Sequence, residues 1–106
     1  MKKKLLKINY YILALIILFI QITKADDLFD QGKQIFLGEG NCATCHTLKE
    51  AKSNGNIGPN LNEIGPDVAR VLSAVTNGIG IMPAYEGQLS TEEIKAVATY
   101  VAESTN

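Results

Sequence analysis

Both cysteines of this chain and its one histidine fall within five consecutive residues, Cys42-Ala43-Thr44-Cys45-His46. Any fold must place that cluster where its chemistry can be used. Two thiols three residues apart can each add across one of the two vinyl groups of a single porphyrin. The adjacent imidazole then lies under the ring and offers a nitrogen to the iron. C-x-x-C-H therefore reads as an attachment site for c-type haem. Three other readings use the same residues. A thioredoxin-like redox pair needs a βαβ unit around it, and no such pattern is present. A zinc site needs about four ligands, so a carboxylate would have to join the two Cys and one His. A structural disulfide suits an exported protein but leaves His46 without a role.

The chain divides by charge. Before Asp26 every charge is positive: Lys2, Lys3, Lys4, Lys7 and Lys24. From Asp26 to Asn106 eleven carboxylates face five basic residues, a formal charge of −6 on 81 residues. Met1 to Lys7 is a basic region, Ile8 to Ile22 is almost wholly apolar, and Thr23-Lys24-Ala25 places small residues at the flanking positions of a cut after Ala25. This is the pattern of a secretory signal peptide. An uncleaved anchor is the alternative, but the unbroken run Tyr10 to Ile20 falls short of the roughly 18–20 apolar residues that cross a bilayer. Residues 1–25 are thus predicted to be a leader and residues 26–106 a single small domain. So acidic a surface argues against nucleic acid as a partner, since that needs clustered Lys and Arg. A body of this size has little core and calls for a staple such as a cofactor.

Helical periodicity predicts an all-α fold with three or more helices and two large loops. Leu28, Ile35 and Phe36 suit one face of a helix starting near Asp26 or Asp27, whose carboxylates can cap it and suit its dipole. Gly38 and Gly40 end it. A second helix is predicted to start at Pro66, with Val68, Val71, Leu72 and Val75 along one side and Asn77-Gly78 as its C-cap. A third opens on the capping box of Ser90 and Glu93 and carries Ile94, Val97, Ala98 and Val101. The segments Thr47 to Gly65 and Gly78 to Leu89 are rich in glycine and proline and show no period. Long irregular loops in so small a domain usually serve function.

Met82, the only methionine besides Met1, lies in the second loop as Gly80-Ile81-Met82-Pro83-Ala84-Tyr85. Pro83 confines Met82 to extended conformations, which helps aim its side chain out of a loop. It is the candidate for a sixth iron ligand. The alternative is a gap-filling core residue. A thioether ligand would favour ferrous iron and occupy the position where oxygen or peroxide would bind.

Cys-Ala-Thr-Cys-His, then Gly58-Pro59-Asn60-Leu61, then Met82-Pro83-Ala84-Tyr85, resembles the small class I c-type cytochromes with one haem. The resemblance spans essentially the whole body, with the motifs in the family's order. It implies one haem c held by thioethers to Cys42 and Cys45, with His46 as proximal and Met82 as distal ligand. It also implies that the Pro59 carbonyl accepts the N–H of the proximal imidazole, fixing the ring's orientation. Gly32 and Phe36 match the family's first-helix contact with its last helix, where Val97 and Tyr100 lie opposite. Tyr85 reads equally as a donor near a haem propionate or as a half-buried loop tyrosine. The stretch Cys45-His46-Thr47-Leu48-Lys49 with the later motifs is also similar to the haem subunits of bacterial sulfite dehydrogenases.

No second histidine, activated nucleophile or further metal constellation accompanies these motifs, so the usual parts of an enzyme are missing. The expected function is periplasmic electron transfer, one electron at a time, between redox partners. The negative body predicts a partner with a basic docking patch. The alternatives are a tightly bound haem subunit of a periplasmic dehydrogenase, making the chain one half of a heterodimer rather than a monomer, and a small haem enzyme. Haem is attached after export, so the periplasm is the expected location, with the outer face of the inner membrane if the leader is retained.

Overall fold

The computed structural model describes residues 2–106, and only the backbone of residues 2, 3, 5 and 19–26. In chain order the elements are α1 (Lys2–Leu37), α2 (Cys42–Cys45), β1 (Thr47–Leu48), β2 (Ser53–Asn54), α3 (Leu61–Ile64), α4 (Val68–Asn77) and α5 (Thr91–Thr105). The strands form one short antiparallel hairpin, Thr47 opposite Asn54 and Leu48 opposite Ser53. The class is all-α, with that hairpin folded into the first of the two predicted loops.

α1 differs from expectation at its start. It begins at Lys2 rather than near Asp26 or Asp27. No proline and no glycine precede Gly32, and Leu, Lys, Ala and Gln all propagate a helix well, so nothing in the sequence stops it. The proposed cut after Ala25 and the capping role of the Asp26 side chain fall outside the described side chains. Large apolar residues from Leu6 to Leu18 are 49–71% exposed and belong to no core. Among the described residues no helix is long and apolar enough to cross a membrane.

The core forms where the second half of α1 crosses α5. Phe36, Val97, Tyr100 and Leu48 are the largest fully buried side chains, each worth about 1.5–3 kcal/mol on leaving water. Tyr100 packs edge-on against Phe29 at 5.0 Å and Phe36 at 5.7 Å. At Gly32 a Cβ would collide with the Ala96 carbonyl and come within 2.5 Å of Tyr100 Cβ. The close crossing therefore needs glycine despite its poor helix propensity. The nearest atoms there belong to Ala96 and Tyr100, and Val97, next to Ala96 on α5, is fully buried.

Around this crossing the sequence signals work locally. Ser90 and Glu93 close the capping box of α5, with Ser90 N donating to the Glu93 carboxylate at 2.9 Å and Glu93 N to Ser90 Oγ at 3.1 Å. Gly78, with φ of 72°, ends α4. The start of α4 is a correction. Pro66 lies just outside the helix, and Asp67 caps it by accepting from Arg70 N at 2.8 Å. A carboxylate can satisfy an orphan helix N–H, which proline cannot do. Of the predicted stripe, Val71 and Val75 are buried while Val68 is exposed.

Candidate functional site

α2 is a single turn that exists to carry Cys42 and Cys45. Asn41 turns the chain into it with φ of 51°, a left-handed conformation that Asn tolerates. The Thr44 hydroxyl donates to Asn41 Oδ1 at 2.6 Å, tying the turn to its first residue. The next loop is strapped on by Gly58 N, which donates to the Cys45 carbonyl at 2.7 Å. Ser53, buried in the hairpin, donates from Oγ to the His46 carbonyl at 2.9 Å and accepts from Leu48 N at 3.0 Å. The backbone that carries the motif is thus held from both sides.

His46 Nδ1–H donates to the Pro59 carbonyl at 2.7 Å. A carbonyl only accepts, so this bond puts the proton on Nδ1 and leaves the Nε2 lone pair free. Gly58 lies against the ring: a Cβ there would be 2.6 Å from His46 Cε1 and 3.0 Å from Nδ1. Asn60, left open by the sequence, caps α3 by accepting from Asn62 N at 3.0 Å.

Cys42, Cys45, His46, Pro59 and Met82, five residues singled out from the sequence, all line one cleft of about 320 Å³. Its remaining lining is almost wholly apolar, and Arg70 is the one cation there. The two cysteines form no disulfide. Burial pushes the Cys42 thiol up to about 11, which keeps it a neutral thiol at physiological pH. Met82 is half-buried and packs against the core. It sits at the end of a tight turn, where Met82 N donates to the Ile79 carbonyl at 3.0 Å and Ile79 N returns to the Met82 carbonyl at 3.2 Å. Gly80 makes that turn with φ of 58°. At Gly78 a Cβ would lie 2.7 Å from the Met82 carbonyl and 2.8 Å from Ala84 N, so the loop folds tightly onto the helix end.

These residues fit a haem. The cleft offers two thiols at the attachment spacing, an imidazole with one nitrogen freed, a thioether, and apolar walls for a flat macrocycle. The zinc reading fails on donors: among the described residues no three His, Cys, Asp or Glu side chains converge. The thioredoxin-like reading fails on topology, because the only strands among the described residues are two residues long.

Several features carried no signal in the sequence. Tyr85 is a half-buried loop tyrosine, and its hydroxyl donates to the Gly40 carbonyl at 2.5 Å. Ile57, Ile79 and Ile81 line the cleft and are 60%, 68% and 85% exposed, an apolar rim at its mouth. Lys33 pairs with Glu50 at 2.7 Å, and the Tyr100 hydroxyl donates to the other Glu50 oxygen at 2.5 Å. Burial would raise the Glu50 carboxyl, yet the Lys33 ammonium and the Tyr100 hydroxyl hold it below its ordinary value. Burial, together with the Glu50 carboxylate, pushes the Tyr100 hydroxyl well above the ordinary tyrosine range.

Comparison with known proteins agrees with this geometry. The family model described as cytochrome c oxidase, cbb3-type, subunit III matches residues 27–101. The cytochrome c6 of Diacronema lutheri is 37% identical over 75 residues, covering 66% of this chain and 88% of that one. The cbb3-type cytochrome c oxidase subunit FixP of Bradyrhizobium sp. (strain ORS 278) is 45% identical over 67 residues, covering 58% of this chain. The matched region is only 23% of that subunit's length. The crystal structure of the c-type cytochrome SorU from Sinorhizobium meliloti superposes with a TM-score of 0.72 at 52% identity, covering 76% of this chain and 93% of that one. The chain belongs to this family of c-type cytochromes. It is a one-haem electron carrier, with haem c bound covalently through Cys42 and Cys45.

Proposed function

We propose that this cytochrome moves single electrons between redox proteins in the bacterial periplasm, with His46 and Met82 as the residues that would hold the haem iron. The observation that carries this reading is that His46 and Met82 line the same apolar cleft as both cysteines. When bound, the haem supplies one-electron chemistry as its iron alternates between ferric and ferrous states. Pro59 keeps the His46 proton on Nδ1, which fixes the ring and raises its basicity as a ligand. Met82 fills the far side of the cleft and keeps water and small oxidants from it. Arg70 would take a carboxylate of the bound group at the cleft edge. Ile57, Ile79 and Ile81 would exclude water where a partner approaches.

Residues 1–25 act in this reading as an export leader removed after Ala25, leaving residues 26–106 as the working domain. Two observations support it: the family match starts at residue 27, and the described large apolar side chains from Leu6 to Leu18 are exposed and join no core. Mass spectrometry of the exported protein should find Asp26 at its N-terminus. A membrane-bound form that retains Lys2 to Ala25 would overturn removal and favour an anchor.

Optical spectra of protein matured with haem-attachment machinery test the ligand set. The ferric form should show the weak far-red band of thioether-ligated haem, and Met82→Ala should abolish it. A spectrum without that band, or a band that survives in Met82→Ala, would refute Met82. A second reading, the firmly bound haem subunit of a periplasmic dehydrogenase, is favoured by the three exposed isoleucines, since permanent interfaces are more apolar than transient ones. Gel filtration of periplasmic extract separates the two. A free small cytochrome supports the carrier, and a stable larger complex supports the subunit.

A further inference from the structure

The two walls of the cleft are built very differently. The wall bearing His46 is braced by hydrogen bonds from Ser53 and Gly58 and by one from His46 to the Pro59 carbonyl, all close in sequence. The wall bearing Met82 is a glycine-rich loop fastened to the end of α4, where Tyr85 N donates to the Val75 carbonyl at 2.8 Å. Among the described residues one hydrogen bond alone joins the loop Gly78 to Leu89 to the half of the domain between Gly38 and Gly65. It is the bond from the Tyr85 hydroxyl to the Gly40 carbonyl, 45 residues apart.

Both ends of that bond are well placed. Tyr85 lies three residues beyond Met82 and itself lines the cleft. Gly40 is buried, and a Cβ on it would touch Cys42 Sγ at 3.0 Å and the Ile35 carbonyl at 2.9 Å. The acceptor is therefore pinned beside the first attachment cysteine, where it cannot follow the loop if the loop moves.

We propose that Tyr85 is a positioning residue whose hydroxyl latches the Met82 loop to the Cys42 turn, holding Met82 over the cleft and closing the distal face to small ligands. This deepens the ligand assignment above and rests on it. Releasing the latch frees the loop to swing about Gly78 and Gly80 while α4, α5 and the His46 wall stay in place. The effect belongs to the distal face and not to the stability of the whole fold.

Tyr85→Phe keeps the ring and removes only the hydroxyl. Tyr100→Phe is the control. It removes a hydroxyl hydrogen bond of the same length, 2.5 Å, from Glu50 at the α1–α5 crossing, and Tyr100 does not line the cleft. Both are compared with the wild type as haem-loaded protein by thermal melting, by the far-red ferric band as pH rises, and by carbon monoxide binding to the ferrous form. Tyr85→Phe should bind carbon monoxide about fivefold faster, the scale of one lost hydrogen bond, and lose its far-red band at lower pH. Tyr100→Phe should lower the melting temperature and leave both distal readouts unchanged. A slowly exchanging Tyr85 hydroxyl proton in the wild-type nuclear magnetic resonance spectrum would support the latch without any substitution. Tyr85→Phe indistinguishable from wild type in the distal readouts, or Tyr100→Phe shifting them equally, overturns the latch while Met82 stands. A wild type with no far-red band removes Met82 and the latch together.

Discussion

At Gly58 the backbone runs against the imidazole of His46, and the absence of a side chain is what the site needs there. A methyl group would press on Cε1 at 2.6 Å and on Nδ1 at 3.0 Å, the atom that donates to Pro59. Neither neighbour can yield freely. The ring is tied to Pro59, and the backbone of Gly58 is tied to Cys45 by its own N–H. Gly58→Ala should therefore cost about 1–3 kcal/mol by overpacking, a fall of roughly 5–15 °C in melting temperature for a domain of this size. It should also weaken the Nδ1–Pro59 bond and raise the reduction potential, because a less basic imidazole would stabilise ferric iron less. Differential scanning calorimetry and redox titration of the haem-loaded variant read both effects. A variant with unchanged melting temperature and potential would show that the ring has room to move. The same bond defines Pro59. Its contribution is a backbone carbonyl, which proline presents from a rigid turn.

Among the elements, the helix ends were written locally and the joints between helices were not. Ser90 and Glu93 announced α5, and Gly78 announced the end of α4, because capping chemistry acts over three or four residues. Asp67 could have been read in the same way from its place before Val68, and Pro66 drew the helix start two residues too early. Nothing in the sequence stops α1 between Lys2 and Leu37, so no break in the backbone marks the proposed cut after Ala25. The clamp among Lys33, Glu50 and Tyr100 was invisible to pattern reading. Its members lie 17 and 50 residues apart, and each alone reads as an ordinary surface charge or core aromatic. The Tyr85 bond to Gly40 was hidden for a further reason: its acceptor is a main-chain carbonyl, which has no sequence signature. The clamp joins α1, the chain beyond β1 and α5, and its titration has a definite sign. Glu50 is held below its ordinary value, near 4.5, in the folded protein. Its contribution is therefore present above that value and is lost as pH falls through the lowered folded value. Tyr100 is held above its ordinary value of 10. Its contribution is present below pH 10 and is lost as pH climbs beyond it. Glu50→Gln should flatten the acid limb of the plot of melting temperature against pH. An acid limb as steep as that of the wild type would remove Glu50 from the balance.

For the molecule as a whole, two different forces act on any partner that approaches the cleft. The body from Asp26 to Asn106 carries a formal charge of −6, a long-range field that salt screens over about 8–10 Å. The rim of Ile57, Ile79 and Ile81 is apolar, acts only on contact and is indifferent to salt. Turn tips usually carry small or polar residues, so a β-branched apolar side chain 85% exposed at Ile81 marks a surface awaiting cover. The two forces affect different steps. Charge governs how often partners meet, and apolar burial governs how long they stay. With the natural partner, the second-order rate should fall steeply as salt rises, which is the signature of a basic docking patch on that partner. Ile81→Asn should weaken the complex about tenfold, the scale of leaving one large aliphatic side chain unburied, with the reduction potential unchanged because Ile81 makes no bond to the ligand loop's fastenings. The slope against ionic strength should be the same in variant and wild type. Stopped-flow electron transfer at several salt concentrations measures rate and slope together. If the deficit of Ile81→Asn vanishes at high salt, the isoleucine acts through the field rather than through contact. If there is no deficit at any salt, the electron leaves by another face.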